Sequence, residues 1–187
     1  FILAVDALKN VQRKNYNADD SRRENTAEHS RQINILAQIL FPYAKNNTEI
    51  NLLRVIRMLS IHDLVEIDAG DTFLFDEEGM KGKFEREKLA AKKIFGILDE
   101  PLSSEFYNLW IEFEEEETPD AIFACAIDRM MPFILNTYTS GKSWTEADVT
   151  EKQVRNMLEN AICRASDDMG DCFQLLMKKC FDEKKLY

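Results

Sequence analysis

Only six glycines and four prolines punctuate the 187 residues of this chain. These two residues mark most chain reversals, and a fold of many short strands would need a turn about every 8–12 residues. Sparse punctuation therefore selects long helices. The apolar residues fall accordingly at helical spacing. Residues 2–13 carry Ile2, Leu3, Val5, Leu8 and Val11. Thr26 can cap a helix over 26–44, with Ile33, Leu36, Ala37, Leu40 and Phe41 on one stripe and Pro42 near its end. Thr48 opens a helix with Leu52, Val55, Ile56, Leu59 and Leu64 facing inward, and Gly70 marks its exit. Residues 71–82, with Gly79 and Gly82, read as a loop. Helices are expected again over 83–98, 101–117 and 119–139, the last with Pro119 in its first turn. Thr145 or Thr150 opens another to about residue 166, and a final one covers 169–183. No alternating strand pattern is sustained and no repeat occurs. The expectation is an all-α, single-domain helical bundle over residues 1–187.

Composition narrows the functional classes. Hydrophobic residues at 45% and charged residues at 31% fit a globular protein. The formal net charge is −10, with no dense basic stripe, which argues against a nucleic-acid partner. Apolar runs are only a few residues long, too short to span a bilayer. Cys125, Cys163, Cys172 and Cys180 form no CxxC pair, and three of them sit in amphipathic segments. Reduced thiols in a cytoplasmic protein are the expectation. The first residue is Phe1 rather than Met, so preceding residues, a targeting segment among them, are an open expectation.

The chain has two histidines, His29 and His62, each beside an acid: Glu28-His29 and His62-Asp63. The second stands in Ile61-His62-Asp63-Leu64-Val65-Glu66-Ile67-Asp68-Ala69-Gly70-Asp71. On a helix, His62, Asp63 and Glu66 project to neighbouring parts of one face. Apolar residues lead into them, and buried imidazoles and carboxylates are costly unless partnered; a metal ion is one such partner. Imidazole with carboxylate suits Mn, Fe, Co, Ni or Zn. Asp128 lies among Ala124, Ile127, Met131 and Phe133, which favours a buried acid with a partner. The acidic run 114–117 and Glu112 read as a solvated turn, and Met130 and Met131 as core.

The ordered set Ala27-Glu28-His29-Ser30, His62-Asp63-Leu64-Val65-Glu66, Gly70-Asp71 and Ile127-Asp128-Arg129 resembles the HD-domain phosphohydrolases, and within them the 5′-deoxynucleotidase-like branch. The likeness covers roughly residues 8–160, with a motif core at about 25–140 and C-terminal helices at about 145–183. The resemblance implies that His29, His62, Asp63 and Asp128 hold one divalent ion (Mn, Co, Fe, Ni, Zn or Mg). It implies that Glu66 and Asp71 flank the phosphate as acid–base groups, and that Arg13, near the end of the first helix, faces the phosphate. It also implies a homodimer acting on a small phosphate ester such as a nucleoside monophosphate. Members selective for deoxyribose carry a tryptophan directly after that arginine; here Lys14 follows, with Tyr16 two further on. A phosphodiesterase or pyrophosphohydrolase on the same centre is the alternative enzyme, and a non-catalytic metal-binding regulatory module the alternative outside enzymes.

Overall fold

The computed structural model describes residues 1–182. It opens with a short helix α1 (Ile2–Val5) that tightens into a 3-10 stretch, Asp6–Asn10. Val11 is extended, and the chain enters an antiparallel hairpin, β1 (Gln12–Tyr16) with β2 (Arg23–Asn25). The expected helix over 2–13 is therefore corrected. The hairpin escapes a search for alternating apolar residues because polar contacts hold it. The Tyr16 ring lies between the Arg23 guanidinium, at 4.8 Å, and the Lys142 ammonium, at 3.9 Å, while its hydroxyl donates to Glu146 at 2.8 Å.

The rest is helical. α2 (Thr26–Leu40) is capped by Asn25, one residue before the expected cap, and ends in a 3-10 turn at Phe41–Tyr43 that contains Pro42. α3 (Leu52–Ile61) starts later than Thr48 suggested, because Asn51 supplies the cap. The backbone N–H of Asn51 donates to Asp120 at 2.7 Å, which ties the start of α3 to the start of α8 (Pro119–Tyr138). Past α3 the chain tightens into a 3-10 segment, His62–Val65, and then a single turn, α4 (Glu66–Ala69). The continuous helix expected from Thr48 to Gly70 is thus broken at His62. Gly70 ends the segment at φ +77°. The expected 71–82 loop contains a short turn, α5 (Glu77–Met80). α6 (Lys83–Phe95), α7 (Leu102–Glu115), α9 (Lys142–Glu146), α10 (Glu151–Ala165) and α11 (Asp167–Asp182) follow. Thr150, not Thr145, caps α10. Residue 183, the expected end of the last helix, lies outside the described residues.

α8 is the axis of the bundle and packs against α2, α3, α7, α10 and α11. Its buried residues Phe123, Ala124, Ile127, Met130 and Phe133 belong to one apolar cluster that reaches from Leu8 to Met177. α10 and α11 close that cluster through Val154, Leu158, Ile162 and Phe173, and the rings of Phe133 and Phe173 lie 4.6 Å apart. Among the described residues no helix is long and apolar enough to cross a membrane, and Cys125, Cys163 and Cys172 are free thiols.

Candidate metal centre

Each element delivers its side chain for a local reason. Asn25 and Glu28 form a reciprocal capping box: the Glu28 N–H donates to Asn25 at 3.0 Å, and the Asn25 N–H donates to Glu28 at 3.2 Å. This fixes the first turn of α2, so Thr26, His29, Ile33 and Ala37 share the buried stripe. At the end of α3, the 3-10 winding carries the chain inward, and Ile61, His62, Asp63, Leu64, Val65 and Glu66 are buried without a break. The third contributor is Asp128, in the middle of α8. One turn on, Pro132 has no N–H to offer the Asp128 carbonyl.

The three elements meet. His29 Nε2 lies 2.8 Å from Asp128 Oδ1, and His62 Nε2 lies 3.4 Å from the same oxygen. One ligand atom each from His29, His62 and Asp128 falls within 4.8 Å of the others. Asp63 joins at the edge, its Oδ1 3.0 Å from His62 Nε2. Both histidines turn the other ring nitrogen away from the centre. His62 Nδ1 is 3.2 Å from the Leu59 carbonyl, and His29 Nδ1 is 3.6 Å from Glu24 Oε2. An outer acceptor commonly fixes the tautomer of a ligating histidine; the Leu59 carbonyl is within hydrogen-bond reach of His62, and Glu24 stands just beyond that reach from His29. The two imidazoles and the Asp128 carboxylate so arranged are a donor set that suits a divalent ion of the Mn–Zn series.

Electrostatics agree with a site that takes a cation. Burial works against charge on Asp128, yet hydrogen bonds from both histidines hold its carboxyl well below the usual range. Burial and Arg13 push His29 down, but Asp128 and Glu24 outweigh them and raise it to about 9. His62 is likewise raised, with Asp63 and Asp128 overcoming burial. Without an ion, protons on the histidines balance the acids.

On the other side, Arg13 projects from β1, rather than from the first helix as the resemblance implied. Its Nη1 stands 3.8 Å from Asp63, 3.7 Å from Glu66 and 3.7 Å from Asp71. The structure thus brings every sequence-selected residue into one neighbourhood. Burial raises Glu66 to about 8 and also raises Asp71, while the Thr26 hydroxyl donates to Glu66 at 2.8 Å.

Comparison with known proteins agrees with this geometry. The family model described as HD domain matches residues 5–169. The chain belongs to the HD-domain family. A crystal structure of a predicted metal-dependent phosphohydrolase from Magnetospirillum magnetotacticum superposes with a TM-score of 0.93 at 40% identity, covering 99% of this chain and 91% of that one. The 5′-deoxynucleotidase HDDC2 of Danio rerio is 29% identical over 131 residues, which is 70% of this chain and 63% of that protein. The human protein of the same name is 28% identical over 130 residues, 69% of this chain and 61% of its own length. The match therefore spans just over three fifths of these curated relatives.

In this HD domain the centre opens on a cavity of about 450 Å³. Several of its charged walls were not legible in the sequence. Lys83 and Glu87, one turn apart on α6, pair at 2.5 Å beside Glu114. The solvated-turn reading of 112–117 is corrected. Burial raises the Glu114 carboxyl, Glu112 holds Arg54, and Glu116 holds both Arg129 and Arg164. Only Glu115 and Glu117 of the run are exposed. Asn15 on β1 and Glu24 on β2 are also buried at the site's edge. Asn15 and Glu24 flank residues that the motif identified, and that adjacency was the one available signal.

Proposed function

We propose that this chain is a metal-dependent phosphohydrolase that removes the phosphate from a small nucleotide, in the first instance a nucleoside 5′-monophosphate. The observation that carries this reading is the convergence of His29 Nε2 and His62 Nε2 on Asp128 Oδ1, beside a cavity that also holds Arg13. His29, His62, Asp63 and Asp128 hold one divalent ion, which when bound polarises a phosphate oxygen and acidifies water. Glu66 and Asp71 are the proton-handling pair. Burial raises both carboxyls, Glu66 to about 8, which suits them to take a proton from water and give one to the leaving alkoxide. Arg13 presents its guanidinium to the phosphate, as planar forked donors suit. A volume of about 450 Å³ is in the range of small-molecule sites, and the name of the HDDC2 relatives supports a nucleotide. The free thiols fit a reducing, cytoplasmic setting, and the family resemblance extends to a homodimer.

A metal-supplemented screen of phosphate release tests the reading. Nucleoside monophosphates should be the turned-over class. Turnover of bis(p-nitrophenyl) phosphate or nucleoside triphosphates alone would replace it with the diesterase or pyrophosphohydrolase. Metal binding with no turnover of any ester would leave the regulatory module.

A further inference from the structure

Glu24 is the inward-facing residue of the three-residue strand β2, between the half-buried Arg23 and Asn25, and it is fully buried. Neither of its carboxylate oxygens has a hydrogen-bond partner, and the same holds for His29 Nδ1 and Arg13 Nε. These unpartnered atoms face one another. Glu24 Oε2 lies 3.6 Å from His29 Nδ1 and 3.7 Å from Arg13 Nε. Glu24 is held by charge attraction at these distances rather than by a hydrogen bond, and a buried carboxylate without one is costly, so its retention in a core position calls for a reason. The reason lies in what its two neighbours do with their other nitrogens. His29 turns Nε2 to Asp128, and Arg13 turns Nη1 to Asp63, Glu66 and Asp71.

We infer that Glu24 is a positioning residue for both halves of the site at once. It keeps the His29 proton on Nδ1, which leaves the Nε2 lone pair for the ion, and it sets the plane of the Arg13 guanidinium through Nε, which aims the Nη groups at the phosphate. The backbone is arranged for this double role. Pairing of Gln12 with Asn25 brings Arg13 alongside Glu24, and the capping box at Asn25 fixes the distance from Glu24 to His29. One carboxylate therefore links the hairpin that carries the arginine to the helix that carries the histidine. This inference rests on the metal-dependent reading and adds a residue that neither the motif nor the ligand set contains.

Two variants test it in the full chain. Glu24→Gln keeps the shape but can accept from only one neighbour and presents N–H groups to the other. Glu24→Met removes the polar atoms and fills the same space. Apo protein is titrated with Mn²⁺ in the absence of substrate, and thermal unfolding is followed in parallel. Both variants should bind Mn²⁺ about 10–100-fold more weakly than the parent. At saturating Mn²⁺, inorganic phosphate should bind about tenfold more weakly, the loss expected when one charge-assisted contact is misaligned. Glu24→Met should unfold more easily than the parent, since removing one partner of a buried charge pair leaves Arg13 without its neighbour, so the Mn²⁺ and phosphate titrations, not stability, decide the inference. Unchanged Mn²⁺ affinity in both variants, with lowered stability, would overturn the inference and leave Glu24 a structural acid. Weakened Mn²⁺ binding with unchanged phosphate binding would overturn the double role. Because the Mn²⁺ arm needs no turnover, a parent that binds the ion yet hydrolyses nothing ends the phosphohydrolase reading without ending this test.

Discussion

On the histidine side of the centre, His29, His62, Asp63 and Asp128 approach one another at 2.8, 3.0 and 3.4 Å, within hydrogen-bond reach. On the arginine side, Arg13 stands 3.7–3.8 Å from Glu24, Asp63, Glu66 and Asp71, close enough for charge attraction and too far for hydrogen bonds. The acids behave differently as well. Asp63 and Asp128 are lowered by the histidines despite burial, whereas Glu66 and Asp71 are raised because burial outweighs Arg13. One side is complementary to a cation and already closed upon itself. The other keeps an arginine without close hydrogen bonds to the acids and carboxyls that burial raises. Binding of the ion and turnover of the ester should therefore be separable by mutation.

The largest effect belongs to the histidine side. His62→Ala or Asp63→Ala should abolish stoichiometric Mn²⁺ in purified protein while the chain stays folded, as read by elemental analysis and circular dichroism. In the parent, Mn²⁺ at a hundred times its dissociation constant adds about 2.7 kcal/mol of stability, or ~5–10 °C in Tm for a chain of this size. That shift should vanish in both variants. Full occupancy in either one would break the assignment of ligands.

Next comes Glu66. Its carboxyl is on the open side, bonded to Thr26 rather than to either histidine. Glu66→Ala should retain the ion and the Mn²⁺-dependent rise in Tm, and lose about 10²–10⁴-fold in kcat. Turnover within a few-fold of the parent would remove Glu66 from the proton-handling role. Loss of the ion along with turnover would merge the two sides into one.

The same division explains what could be read from the sequence. The histidine side was legible because two histidines are all the chain has, and because His62-Asp63 follows an apolar run that must be buried. The fold class followed from sparse Gly and Pro, and Pro119, Thr150 and Gly70 sit at helix ends as their chemistry dictates. The arginine side was harder. Residues 12–16 are Gln, Arg, Lys, Asn and Tyr, with no apolar alternation to betray a strand, and the hairpin depends on contacts to Lys142 and Glu146 far along the chain. The tightening at His62–Val65 was invisible because its apolar spacing suits an α-helix equally well. Buried charges are the least legible of all. Glu87, Glu114 and Glu117 are all glutamates in or beside charged helices, and only packing decides that the first two line a cavity while the third faces water.

A smaller effect is expected at Arg13, which binds without holding the ion. Arg13→Met should leave Mn²⁺ affinity within a few-fold and raise KM by about 10–100-fold, as loss of one charged hydrogen-bonding group does. Steady-state kinetics at saturating Mn²⁺ checks this. An equal fall in kcat with unchanged KM would recast Arg13 as a group that acts only on the transition state.

The smallest effect concerns the sugar, and it tests whether the open side discriminates at all. The position after Arg13, tryptophan in deoxyribose-selective members, is Lys14, which is exposed on β1 and lines the cavity. A lysine is a flexible, hydrated cation and cannot present a flat apolar wall to the sugar's 2′ carbon. Tyr16 is the nearest aromatic substitute along the strand. Its hydroxyl is held by Glu146 and its ring lies between Arg23 and Lys142, so swinging toward the sugar would break all three contacts. An added hydroxyl is rejected only weakly by a site that does not exclude it by shape. AMP and dAMP should therefore differ in kcat/KM by no more than about tenfold with Mn²⁺ or Co²⁺. A preference for dAMP of about a hundredfold or more would mean that another residue builds the wall, and Lys14→Trp would then change little. If the reading of Lys14 is right, Lys14→Trp should instead lower kcat/KM for AMP and spare dAMP.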